Sequence, residues 1–215
     1  MGIVTLTRLG LQFSSIVIDL AGGNLFITIL YTAFALWVIG LAVQVTGTYI
    51  IAVVITAPAM IKLGVPEYAA HMFVFYYAVL AEVTPPTALS AFAAAAITGG
   101  DPYKTTMMSW KYTLPAFLVP FMFTVHPNGV GLLLKGPWTN IILTNLTALI
   151  GIGALAAGMS GWLIRKTTWI ERPLLIVAGF VLVYPSSAAD VLGIALVAAV
   201  AVWQWRTKGR GPKPI

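Results

Sequence analysis

A chain of 215 residues that is 60% hydrophobic and only 8% charged, with a mean hydropathy of +0.95, is composed for lipid, since a soluble domain carries about 25% charged residues. The net charge of +6 comes from Lys and Arg at the ends of apolar runs, without an aromatic-interleaved basic stripe, which excludes nucleic acid as the partner and leaves the lipid bilayer. With no cysteine, disulfides, thiolate chemistry and Cys-ligated metals are excluded as well, and the redox compartment stays undetermined.

Residues 1–23 read as a connecting or interfacial helix. The opening MGIVTLTRLGLQFSSIVIDL has no charged region leading into an apolar core and a small-residue cleavage site, so no cleaved signal peptide is expected, and the stretch reads as the interior of a longer membrane protein. About 20 apolar residues make one crossing. A first run covers 24–43, after Asp19 and Gly22-Gly23; a second covers 48–63 and is closed by Lys62, Gly64 and Pro66. Between them lies GLAVQVTG, residues 40–47. An apolar run over 68–83 meets Thr84-Pro85-Pro86 and resumes over 87–98, ending in the turn Gly99-Gly100-Asp101-Pro102. Residues 112–125 follow, with Pro115 and Pro120, and 140–164 make a long crossing. Two shorter runs, 173–184 and 188–205, are split by Pro185-Ser186-Ser187, and a basic tail, RTKGRGPKPI, ends the chain.

The two halves of the 68–98 segment are short. A helix of about 15 residues reaches only ~23 Å against a hydrocarbon core of ~30 Å. A hairpin that enters and leaves on one side is therefore expected. That arrangement places Lys62, Lys104, Lys111, Arg165, Lys166, Arg172, Arg206, Lys208, Arg210 and Lys213 on one face and Lys135 alone on the other, so the first face, with the C-terminus, is expected to be cytoplasmic. Two full crossings give the same parity.

The tip of this hairpin is the stretch AEVTPPTALSAF, residues 81–92. Two consecutive prolines remove two amide donors and bias the preceding residue away from the helix. The carbonyls they free are costly in hydrocarbon, and only a bound metal ion or a companion protein is expected to satisfy them. Freed carbonyls and a Thr hydroxyl are hard oxygen ligands for a small cation, and the amino end of the following helix favours a carboxylate. A plain proline kink, or a loop between two crossings, is the alternative. Glu82 is either a functional intramembrane acid or a residue at an aqueous rim.

From Tyr49 onward, APAMIKLGVPEYAAHMFVFYYAVLAEVTPPTALSAFAAAAITGGDPYKT and LPAFLVPFMF resemble the large membrane subunit of tripartite ATP-independent periplasmic (TRAP) transporters, in particular the fused membrane subunits of the TAXI type. The resemblance covers most of the first 130 or so residues. It implies an all-α polytopic protein with a re-entrant hairpin and a discontinuous helix, the second inverted repeat of an elevator-type transporter. On that basis 24–127 is half of a transport domain, 128–205 carries C-terminal scaffold helices, and 206–215 is a cytoplasmic tail. The implied activity is sodium-coupled import of an organic acid or related solute in a bacterial inner membrane. The implied coupling ion is Na+, and the partners are a periplasmic substrate-binding protein, the first repeat and a small subunit.

The solute-facing set is Thr84, Pro85, Pro86, Thr87 and Ser90, and the sodium-facing set is Gly40, Thr46, Gly47, Thr48, Glu82 and Thr84. Where the family usually has a Gly-Met-Gly-Leu-Pro-Thr-Thr-like pattern, this chain reads Gly40-Leu41-Ala42-Val43-Gln44-Val45-Thr46, which retains Gly40 and Thr46 and puts one sodium site in question. Gly47 and Thr48 are expected to keep the backbone unwound. The chain is several times shorter than fused members, so it reads as a fragment, a split-gene product or a remnant. The altered stretch also supports a rival reading as a non-transporting scaffold or assembly subunit.

Other residues carry little chemistry. His71 and His126 have no Asp, Glu or His three or four residues on, which argues against zinc or haem and for capping or headgroup contact. Ser90, Ser109 and Ser160 lack a nucleophile-elbow context, so no enzyme is expected. Residues 151–161, GIGALAAGMSG, read as close helix packing. The seven tryptophans read as an interfacial belt, and Asp190 as a helix cap.

Overall fold

In a computed structural model of the protein, the described residues are 9–207. Residues 1–8 of the connecting segment lie outside them, as does the basic tail beyond Thr207, including Lys208, Arg210 and Lys213. Among the described residues the chain forms ten α-helices and no strand, the all-α membrane class expected. It divides into two compact units, Met1–Val125 and His126–Ile215.

In the first unit, α1 (Leu9–Leu20) packs closely against α3 (Val45–Lys62). Pro58 inside α3 deprives the Val54 carbonyl of an amide donor, and that oxygen lies 2.4 Å from where a Cβ on Gly10 would stand, so only glycine permits this approach. The Ser14 hydroxyl bridges the Gly10 and Ile55 carbonyls at 2.8 and 3.0 Å. α2 (Leu25–Gly40) begins at Asn24, whose side-chain oxygen accepts from the Ile27 amide, and it buries Thr28, Ile29, Thr32, Ala33 and Leu36 at helical spacing.

α4 (Glu67–Leu80) carries the core, with Phe73 stacked on Tyr77 at 4.9 Å and edge-on to Phe121 of α7 (Val119–Val125) at 5.7 Å. α5 (Leu89–Thr98) and α6 (Pro102–Thr113) are joined by the expected turn, with Gly99 at φ +69° and Asp101 accepting from the Lys104 amide at 2.8 Å. The run over 112–125 is not one helix. Pro115 turns it into a 3-10 segment, Leu114–Leu118, and the Tyr77 hydroxyl donates to the Phe117 carbonyl there at 3.1 Å.

The second unit opens with a 3-10 segment, Pro127–Leu133, that His126 caps by accepting from the Asn128 amide. α8 (Trp138–Ser160), α9 (Glu171–Val183) and α10 (Ser187–Arg206) follow. The small-residue face of α8 is a packing face as expected. A Cβ on Gly179 of α9 would stand 2.3 Å from Leu155, and one on Gly158 would stand 2.8 Å from Ile176. Ser186 caps α10 by accepting from the Ala189 amide, the role expected of Asp190, which lies one turn too far into the helix. Trp138, Trp162, Trp169, Trp203 and Trp205 are exposed near helix ends, where a belt would sit. By length and composition α3, α8 and α10 can cross a membrane.

Where α8 ends and α9 begins, a polar lock closes the unit. Glu171 lies before the apolar body of α9, outside the three spans, and is 4% exposed. It accepts from the Arg165 guanidinium at 2.7 Å, the Thr168 amide at 2.8 Å and the Gln204 side chain at 2.8 Å. Gln204, wholly buried on α10, returns its oxygen to the Ile164 and Arg165 amides. Burial pushes the Glu171 carboxyl up, but the Thr168 amide, the Gln204 amide and the Arg165 guanidinium outweigh it and hold the group below its ordinary 4.5.

Two outcomes follow. A group depressed in the folded state stabilises above its unfolded value and loses that contribution as pH falls through the folded value, so thermal stability is expected to drop below about pH 4.5 and Glu171→Gln to flatten part of that drop. Gly179→Val is expected to cost about 1–3 kcal/mol by overpacking, read as a lower unfolding temperature, whereas Gly153→Ala, with open space around it, is expected to leave stability unchanged or higher.

Candidate functional site

Two interruptions of regular helix come together in the first unit. At the first, α2 ends at Gly40, residues 41–44 leave the helix, and Gln44 adopts an extended ψ of 162° before α3 begins at Val45. The unwinding is therefore shorter than expected, and Thr46 and Gly47 lie in the first turn of α3. Gly47 is needed there because a Cβ would meet Val43 at 2.3 Å as the chain folds back. The Thr48 hydroxyl donates to the Val43 carbonyl at 2.8 Å, so a side chain of the same helix satisfies an oxygen that the break would otherwise orphan.

At the second, α4 tightens into a 3-10 turn, Ala81–Val83, then Thr84 is extended, the Pro85-Pro86 peptide is cis and Ala88 has φ +23°. The helix that follows, α5, begins at Leu89, two residues later than expected. The Thr84 hydroxyl donates to the Leu80 carbonyl at 2.7 Å, repeating the Thr48 arrangement. The expectation that only an ion or a companion protein satisfies the freed carbonyls is thus too strong, because threonine hydroxyls serve two of them. Others remain. The Leu41, Ala42 and Pro86 carbonyls accept no hydrogen bond among the described residues.

The breaks touch at Gly40, where an added Cβ would stand 2.6 Å from the Ala81 Cβ. They share a cavity of about 400 Å³, walled by residues 40–44 on one side and by Ala81, Glu82, Pro86, Thr87, Leu89 and Phe92 on the other. Of the residues singled out from sequence, Gly40, Glu82, Pro86 and Thr87 line it. Thr48 and Thr84 are fully buried and do not. Thr46 is exposed beside a separate groove with Tyr49 and His71, Gly47 and Pro85 are half-buried off the cavity wall, and Ser90 is exposed and does not line it.

The partners of His71 precede it in the chain. His71 pairs with Glu67, four residues before it, at 4.0 Å, and shares a 3.0 Å hydrogen bond with the Tyr49 hydroxyl. Among the described residues no group of three or more His, Cys, Asp or Glu could hold a metal.

A family model described as "Tripartite ATP-independent periplasmic transporter, DctM component" matches residues 1–128, more than half of the chain and the part that contains both breaks. The protein belongs to this family. The TRAP component also matches a domain of unknown function, DUF3394, over residues 141–193, which is typical of the C-terminal region fused in TAXI-type members. No curated protein and no solved structure matches the chain. As a TRAP component it is a membrane transport protein of a family that works with a periplasmic binding protein and other membrane subunits.

Gly40→Ala in this component is expected to force the two breaks apart, lowering the unfolding temperature by the equivalent of about 1–3 kcal/mol and reducing uptake by the assembled transporter. Stability and uptake equal to the unsubstituted protein would show that the contact does not constrain the site.

Proposed function

We propose that this chain is a membrane component of a sodium-coupled importer for an organic acid delivered by a periplasmic binding protein. The meeting of two helix breaks at one cavity carries the reading. A cation is served by oxygens around the junction, where Gly40 brings the breaks together and the Thr48 and Thr84 hydroxyls, each donating its hydrogen to a carbonyl, keep lone pairs for an ion. Thr46 and Gly47 stand at the same breaks, and Glu82 adds a carboxylate to the cavity wall. The solute's carboxylate is served by the amino ends of α3 and α5, which begin at the two breaks, with Pro86 and Thr87 in the wall and Thr84, Pro85 and Ser90 supporting the tip.

The lengths of α4 and α5, 14 and 10 residues, are about 21 and 15 Å, each short of a ~30 Å core, which supports a re-entrant hairpin. Such a hairpin suits an elevator motion against a scaffold. Within the second unit, Arg165, Lys166, Arg172 and Arg206 belong to the end where α8 and α10 finish and α9 starts, and Lys135 precedes α8 at the other. That asymmetry supports an inner-membrane orientation with the C-terminus cytoplasmic.

One observation favours the scaffold reading. The Val43 and Leu80 carbonyls are satisfied by hydroxyls of the chain itself, so those two oxygens at the breaks do not require an ion. Uptake by the complete assembly in proteoliposomes separates the two readings. Thr84→Val is expected to weaken sodium dependence at least about tenfold while Thr84→Ser retains it, and unchanged sodium dependence in Thr84→Val would overturn the assigned role.

A further inference from the structure

We infer that Glu82 holds a protonated amine of the solute, so that the imported acid carries a positive charge as well as a carboxylate. The inference rests on the transport reading above and names the substrate class of the same cavity.

Glu82 is the one ionisable side chain in the cavity wall, is half-buried, and makes no ion pair or hydrogen bond with any described residue. An uncompensated carboxylate in a membrane segment is costly, and a purely anionic solute brought beside it adds like-charge repulsion. Thr48 and Thr84, which carry the two hydroxyls best placed for a coupling ion, are fully buried and do not line this space, whereas Glu82 does. The counter-charge is then left to the occupant of the cavity.

An ammonium group suits the wall chemically. It has three donors and no acceptor, and it meets the Glu82 carboxylate together with the free Leu41 and Ala42 carbonyls and the Gln44 side-chain oxygen. A volume of about 400 Å³ suits a small solute. A free metal ion at Glu82 has the same charge, and the experiment below separates the two sources.

The transporter, assembled with its other membrane subunits in nanodiscs and without the binding protein, is titrated in saturating NaCl with three matched pairs: aspartate and succinate, alanine and propanoate, 4-aminobutanoate and butanoate. At least one amine is expected to bind about tenfold or more tightly than its partner lacking nitrogen. Glu82→Gln is expected to bring that ratio to about one while the NaCl-induced rise in unfolding temperature persists. If no pair favours the amine, if Glu82→Gln keeps the preference, or if it abolishes the NaCl effect and leaves the preference intact, the inference is overturned, the last result assigning Glu82 to free sodium. Should Glu82→Gln fail to assemble, Glu82→Asp decides, a reduced ratio supporting the inference and an unchanged one overturning it. Sodium-dependent uptake without any amine preference defeats this inference alone, whereas loss of sodium dependence from uptake defeats the transport reading.

Discussion

A main-chain carbonyl that loses its amide partner within a bilayer has no water to turn to, and each such loss costs several kcal/mol unless the protein supplies a donor. This TRAP component breaks its helices repeatedly at proline, and its architecture is largely the set of answers to that constraint. At Val43 and Leu80 the answer is a threonine hydroxyl four or five residues on; at Phe117 it is the Tyr77 phenol from a neighbouring helix. The carbonyls left over at Leu41, Ala42 and Pro86 are concentrated at the one place where two breaks form a cavity.

Close approach of helices is the second device, and it serves the first. Glycine at position 10 lets α1 reach the carbonyl that Pro58 frees, and glycine at 40 brings the first break against Ala81 at the second. In the second unit the same economy of side chain joins α8 to α9, where Gly158 and Gly179 accept Ile176 and Leu155. Without a strong hydrophobic drive between helices in lipid, such backbone proximity and the polar lock around Glu171 and Gln204 set which helices adjoin. The lock sits where α8 gives way to α9, and its ionic member is satisfied on three sides.

Much of the site could be read from residue order. The Thr84-Pro85-Pro86 stretch announces a break because imino acids cannot donate, and Gly40 with the polar residues after it announces another. The first break is shorter than glycine at 47 suggests, because that glycine makes room for Val43 within a regular helical turn instead of opening the backbone. Thr46, Gly47 and Ser90 were grouped with the site by sequence neighbourhood, yet none of them lines the cavity. Glu171 and Gln204 went unnoticed because they are 33 residues apart and nothing local in either stretch marks a pair. The His71 contact with Glu67 has a local signal, a spacing of four residues toward the amino end of the helix.

The sequence by itself determined that this is an all-α membrane protein, that its helices are interrupted within residues 40–47 and at 84–86, and that its family is that of TRAP transporter components, because composition, glycine and proline placement and an extended run of matching residues are properties of order along the chain. Only the tertiary structure decided that the two interruptions share a cavity, that Thr48 and Thr84 are buried and off its lining while Glu82 belongs to it, and that Gln204 closes on Glu171. Those outcomes depend on which helix faces meet, and a helical repeat fixes which residues share a face without saying what that face will touch.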